Sequence, residues 1–395
     1  MATRAATRQW APRGRWIEGL ESRTRSMAYA DTSKRDLRLD LLRGLAVAIM
    51  VVDHIGGDTV LTQLSGGNRF IVSAAEAFVF LSGIVVGLVY GDRLARLGPR
   101  EAFKGLLRRA FTLYKASVGM ALVFLALLLG SNVRLWAERS AGQSVDLKEV
   151  VAGILTLRHS FHGSDVLVMY TLMLLVAPVV IYLLEKKRTL PLLGVSVAIW
   201  GLNQLVPGQG AFPWKVEESH FPVAAWQLLF VLGIVVGFHR DRVSRWVLAG
   251  SAGSRVAVFG LGGLAYLLAW SSERFGATSL PALLGGGVYS DLFLKESLAP
   301  GRVLAFLGVA VIAYTLVSAL WVPLRAGLGW LLIPFGQNSL YVYIMHLFVL
   351  VAVYNLAPLA MPLLGDGVNL AAQLLGLATV WVMIHRRILF RLVPR

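Results

Sequence analysis

The chain contains no cysteine, which excludes a thiolate nucleophile, an iron–sulfur cluster and Cys-ligated zinc. An acyl intermediate, if there is one, has to sit on serine or histidine. Charge is scarce as well. Asp, Glu, Lys and Arg make up 15% of the 395 residues, against about 25% in soluble globular proteins. Acidic residues are the scarcest part, 22 against 38 basic, for a formal net charge of +16. The space is taken by apolar residues, 56% of the chain, with 11 Trp and a mean hydropathy of +0.67. These deficits exclude an ordinary cytosolic enzyme, a disordered chain, a collagen and a disulfide scaffold, and they point to lipid as the solvent.

Apolar runs suited to a hydrocarbon core of about 30 Å occur near residues 41–60, 73–91, 110–130, 166–184, 190–206, 223–238, 256–271, 302–321, 337–356 and 368–388. The predicted fold class is all-α: a polytopic integral membrane protein of about ten transmembrane helices. With both termini cytoplasmic, 28 of the 38 Lys and Arg fall on the cytoplasmic side, in the N-terminal arm, the C-terminal tail, the connections near 92–109, 185–189, 239–255 and 322–336, and at the mouth of the first span. That asymmetry is what the positive-inside rule requires. The basic charge is therefore mostly topological. No basic segment is interleaved with stacking aromatics, so nucleic acid is not an expected partner.

Residues 1–36 form a basic arm without the apolar stretch of a cleavable signal, expected to be disordered and cytoplasmic, and Met27 offers an alternative start. Residues 37–395 form the transmembrane domain. Two loops on the outer side exceed a bare turn, 132–165 and 272–301, and the first holds a candidate interfacial helix near 146–159.

Ionisable groups inside a membrane are costly and are functional candidates for that reason. In the first span, Arg43 and His54 are eleven residues apart. At about 100° and 1.5 Å per residue they lie about 20° apart in azimuth and about 16 Å apart along the axis. Arg43, Val47, Met50 and His54 thus form one stripe, with His54 near the outer end. An imidazole with a pKa of about 6.5 suits general base work on a hydroxyl near neutral pH; the plain alternative is a histidine hydrogen-bonded to a neighbouring helix. Asp53 is about 100° away and should pair elsewhere.

The second span places Glu76 near its outer end and Ser82 near its middle. Its Gly83, Gly87 and Gly91 make a smooth face for close packing. Asp165 and Tyr170 open the fourth span, after His159 and His162. Trp226 and Gln227 open the sixth, where Trp226 is expected as an interfacial anchor, with ligand contact as the alternative. In the ninth span Asn338, Tyr341 or Tyr343, and His346 lie progressively deeper. Two GIVVG strings, Gly83–Gly87 and Gly233–Gly237, hint weakly at an internal repeat.

Taken together, RLDLLRGLAVAIMVVDHI (38–55), AAEAFVFLSGIVVGLVYG (74–91), RRAFTLY (108–114), AWQLLFVLG (225–233) and NSLYVYIMH (338–346) resemble the OpgC family. These are membrane transferases that decorate osmoregulated periplasmic glucans, within a wider acyltransferase superfamily. The first span also resembles, less closely, the lysosomal-type heparan glucosaminide acetyltransferases. The resemblance implies His54 as catalytic base, Arg43 as a holder of the acyl donor, and a multi-pass protein of the inner or plasma membrane.

It further implies an acyl-CoA co-substrate, succinyl-CoA or acetyl-CoA, no metal, and an extracytoplasmic glycan acceptor. The donor's phosphates would dock on Arg108, Arg109 and Lys115, whose other explanation is topology. Asp53, Glu76, Ser82, Asp165, Tyr170, Trp226, Gln227 and His346 are the candidate substrate contacts. The rival from another class is a secondary transporter or flippase for a glycan or lipid.

Overall fold

Asp36 caps the first described helix. Its carboxylate accepts from the Arg38 backbone N–H and from the Arg38 guanidinium, which satisfies a donor that the first helical turn leaves open. The helix it caps is α1, Leu37–Ile55. The computed structural model describes residues 35–67, 71–130, 146–161, 163–205, 220–242, 291–356 and 366–394.

The described residues are helical and contain no strand. After α1 come α2 (Val60–Ser65), α3 (Ala74–Leu97), α4 (Pro99–Gly130), α5 (Leu147–Leu155) and α6 (Asp165–Glu185). They are followed by α7 (Thr189–Leu205), α8 (Val223–Phe238), α9 (Pro300–Ala319), α10 (Trp321–Gln337), α11 (Ser339–Leu356) and α12 (Asp366–His385).

Among the described residues six helices, α3, α4, α6, α9, α11 and α12, are long and apolar enough to cross a membrane, and α7 and α8 are shorter apolar helices. The expected span at 256–271 and most of the basic arm lie outside the described residues. The short α5, capped by Asp146, matches the candidate interfacial helix; it buries Ile154 in a small cluster with Val118, Leu157 and Val168.

One expectation fails. The stretch 322–336, read as a loop, is helix α10, which packs along α1. It starts directly after α9, whose Ser318 accepts from Arg38, and it finishes with Gly336 against Asp40. Its pattern escaped a search for spans because Pro323, Arg325 and Pro334 interrupt the apolar run.

Two helix crossings are close enough to exclude any side chain. Between α3 and α8, a Cβ on Gly83 would stand 2.3 Å from the Phe230 carbonyl oxygen, and one on Gly237 would stand 2.1 Å from that of Ile84. The two GIVVG strings are thus the two sides of one interface. At the second crossing, Gly44 of α1 meets Leu332 of α10 at 1.8 Å by the same measure. Such contact lets van der Waals packing hold helices where lipid supplies no hydrophobic drive.

Candidate active site at the α1–α11 interface

The Arg43 to His54 stripe of α1 faces α11. Arg43 donates from Nη2 to the Ser339 hydroxyl at 2.5 Å, and His54 Nδ1 lies 2.9 Å from His346 Nε2. The imidazole rings are stacked, with centroids 5.2 Å apart and planes at 27°. Low-numbered residues of α1 meet low-numbered residues of α11, so the two helices run in the same direction. Val47 and Met50, between the two polar contacts, are buried. The stripe is turned to the protein interior and not to lipid.

Aromatic residues fix the rings. Tyr343 lies edge-on to His346 at 5.2 Å and stacks on Phe78 at 5.6 Å, while its hydroxyl donates to the Gly163 carbonyl. Phe78 in turn meets Tyr170, and Tyr170 meets Phe230 edge-on. Ser82 is buried one turn after Phe78 on the same helix. α1, α3, α6 and α11 therefore bring His54, His346, Tyr343, Phe78 and Tyr170 into one cluster, with Ser82 adjoining it.

Arg43 carries the clearest mark of a ligand. Its Nε is buried and has no hydrogen-bond partner among the described residues. An unpaired buried donor costs about 1–3 kcal/mol, so it calls for an acceptor that the described residues do not supply. Tyr170, Asp40, Arg109 and Arg35 all lie within electrostatic reach of it. Of the three cations expected to hold the donor, Arg109 is the one within electrostatic reach of Arg43. Arg108 is exposed, and Lys115 is exposed with its ammonium 5.0 Å from the Phe111 ring centroid.

Several candidate contacts are engaged elsewhere. Asp53 accepts from the Ser65 hydroxyl. Glu76, fully buried, accepts from the Ser73 backbone and hydroxyl and forms an ion pair with Arg302 of α9. Asp165 accepts from the backbone N–H of Val166 and His220. Gln227 clasps Ser196 of α7 through both ends of its amide. His159 packs edge-on against Phe161, and His162 lies outside the described residues.

Trp226 is wholly buried, which differs from a place in an interfacial belt. It donates to the Glu296 carbonyl at 3.2 Å, and with Trp200 and Gln204 it holds the backbone of 296–298. That strap passes through buried Leu298 at φ 48° and carries Lys295, whose ammonium lies 6.0 Å from the Phe221 ring centroid. Burial pushes the Lys295 amine down from its ordinary pKa, and the Glu76 carboxylate pulls it back up.

Ser339, Tyr343 and Arg302 gain roles that residue type alone did not assign. The signal for the first two was present: Ser339, Tyr343 and His346 are spaced i, i+4, i+7, one face of α11. Among the described residues no group of three or more His, Asp or Glu could hold a metal ion. An apolar groove of about 500 Å³ between α1, α3, α8 and α9 opens on the Leu42, Leu45 and Ile49 face of α1 and includes neither Arg43 nor His54.

Fold and site together define a multi-pass membrane protein with an imidazole pair and a guanidinium in line between two of its helices. The family described as OpgC protein matches residues 35–388, nearly the whole chain, and the protein belongs to that family. Membership suggests a glucan-modifying acyltransferase and implies a transferase in general terms. No curated protein and no solved structure matches the chain.

Proposed function

We propose that the protein is a membrane O-acyltransferase that moves an acyl group from a cytoplasmic acyl-CoA to a hydroxyl of an extracytoplasmic glycan, with His54 as general base. The observation that carries this reading is the matched pair of contacts between α1 and α11, Arg43 with Ser339 and His54 with His346, in an interior that needs no such groups for packing. The Arg43 end faces the cytoplasm in this reading, and the His54 end faces the glycan. Succinyl-CoA and acetyl-CoA are the donors of choice for testing.

Arg43 and Arg109 hold the donor from the cytoplasmic side. The unpaired Nε of Arg43 fits an acceptor oxygen on its pantetheine or phosphate arm. His54 takes the proton of the sugar hydroxyl as the oxygen attacks the thioester carbonyl carbon. The tetrahedral oxyanion collapses, the carbon–sulfur bond breaks, and the proton returns from His54 to the thiolate. One base suffices for this direct transfer.

Mass spectrometry of envelope glycans from cells with wild-type protein, no protein and His54→Ala tests the proposal. Ester-linked acyl groups present only with wild type are expected. Full acylation with a folded His54→Ala protein refutes the base assignment, and acyl groups unchanged without the protein refute the enzyme.

A further inference from the structure

Gly105 and Arg109 lie one turn apart on one face of α4. Gly105 lies under two side chains of α3. A Cβ there would stand 2.4 Å from Nη1 of Arg93 and 2.9 Å from Cε1 of Tyr90, and the Tyr90 hydroxyl donates to the Gly105 carbonyl at 3.2 Å. The bare backbone thus admits the Arg93 guanidinium one turn from Arg109. Tyr90 lies within electrostatic reach of Arg93, Arg109 and Tyr170, and the last two also reach Arg43. Guanidiniums from α1, α3 and α4 are therefore collected around one pair of tyrosines. Arg93 is half-buried, and among the described residues it has no ion pair and no hydrogen bond. Its neighbour Asp92 is engaged by Arg96. Like charges gathered this way repel, and a bound anion relieves them.

The place along α3 indicates which anion. Phe78 stacks on Tyr343, which lies edge-on to His346. Arg93 follows Phe78 by fifteen residues, about 22 Å along the axis, and stands one turn before the last residue of α3, Leu97. Groups at that end need not sit in hydrocarbon, which phosphates could not enter. A thioester at His54, with its pantetheine arm extended past Arg43, brings the nucleotide phosphates to this end. We propose that Arg93 is a further donor-binding residue, whose guanidinium holds a phosphate of the nucleotide end of the acyl-CoA. This inference rests on the acyltransferase reading above and adds a contact to it. Arg93 takes the part expected of Arg108 and Lys115, both of which are exposed. Its planar fork matches phosphate oxygens where an ammonium offers only a point charge.

The test compares two donors in steady-state acyl transfer by purified, monodisperse protein. One is acyl-CoA; the other is the matching acyl-pantetheine, which keeps the thioester but lacks the nucleotide end and its phosphates. Wild type should use acyl-CoA with a kcat/KM at least about 10-fold above that for acyl-pantetheine. Arg93→Gln should raise KM for acyl-CoA about 10-fold with kcat within about 2-fold, and should leave kcat/KM for acyl-pantetheine within about 2-fold of wild type. Arg100→Gln is the control for loss of charge alone, since Arg100 is exposed and lies about 140° from Gly105 around α4. It should leave both donors unaffected.

An unchanged KM for acyl-CoA in Arg93→Gln, an equal loss with both donors, or as large a rise in Arg100→Gln overturns the inference. If Arg93→Gln is not monodisperse, Gly105→Ala takes its place. That variant keeps every charge, favours the helix and pushes the guanidinium off α4, so KM for acyl-CoA should rise at least about 3-fold with acyl-pantetheine unaffected; no rise overturns the inference. His54→Ala in the same assay keeps the two readings apart. Transfer that survives His54→Ala sinks the base assignment, and a wild type that transfers from neither donor sinks the acyltransferase and this contact with it. Wild-type transfer with an unmoved KM in Arg93→Gln sinks only the Arg93 contact.

Discussion

Gly44→Ala tests how the α1–α10 crossing supports the site. A methyl at residue 44 would stand 1.8 Å from the Leu332 carbonyl oxygen and 2.7 Å from its carbon. Carbon and oxygen ordinarily approach to about 3.3 Å, so the helices must part by about 1.5 Å at this point. Both opposing atoms are backbone, and no rotamer change relieves the clash. Overpacking of this kind costs about 1–3 kcal/mol, and a backbone clash belongs at the upper end.

Arg43, the adjoining residue, holds Ser339 at 2.5 Å, and a displacement of about 1 Å can cost about 10²-fold in rate. Gly119→Ala on α4 is the control, because a Cβ there meets nothing within 4 Å and Ala favours a helix by about 1 kcal/mol over Gly. Detergent-purified protein is heated and its monodisperse fraction followed by size exclusion, alongside acyl transfer. Gly44→Ala should melt several degrees lower, by a margin of about 4 °C or more, and lose most activity, while Gly119→Ala stays at or above wild type. A Gly44→Ala protein with wild-type melting and wild-type transfer would falsify the claim that this crossing sets the position of Arg43.

Arg43→Lys keeps the charge but removes the planar fork and its Nε, so KM for the acyl-CoA should rise about 10-fold; unchanged donor affinity in steady-state kinetics would mean that a point charge is enough. Glu76→Gln leaves the Arg302 guanidinium buried without its counter-charge, the side chains being 0% and 5% exposed, and should destabilise by about 3–5 kcal/mol. Thermal unfolding measures it, and the Glu76→Gln/Arg302→Leu double variant should recover part of the loss. Wild-type stability in Glu76→Gln alone would contradict a structural ion pair.

Much of the helix layout was legible because apolar runs of membrane length leave few alternatives: α3, α4, α6, α9, α11 and α12 all lie where hydropathy predicts spans. The Arg43–His54 stripe was legible for the same kind of reason, since helical periodicity fixes azimuth within one element. Partners across elements were not. Glu76 reads as a candidate ligand contact until Arg302, more than two hundred residues later, is seen to occupy it. Trp226 reads as an interfacial anchor until the carbonyl of Glu296 is found above its ring nitrogen.

By itself, then, the sequence determined composition, helical periodicity and the face on which each polar group lies, because these depend on neighbours three or four residues away. Only the tertiary structure decided that α10 is a helix packed against α1, that the two GIVVG strings touch each other, and that His54 meets His346. Those outcomes depend on which helix faces share an interface, and an apolar alphabet does not encode that choice within any single span.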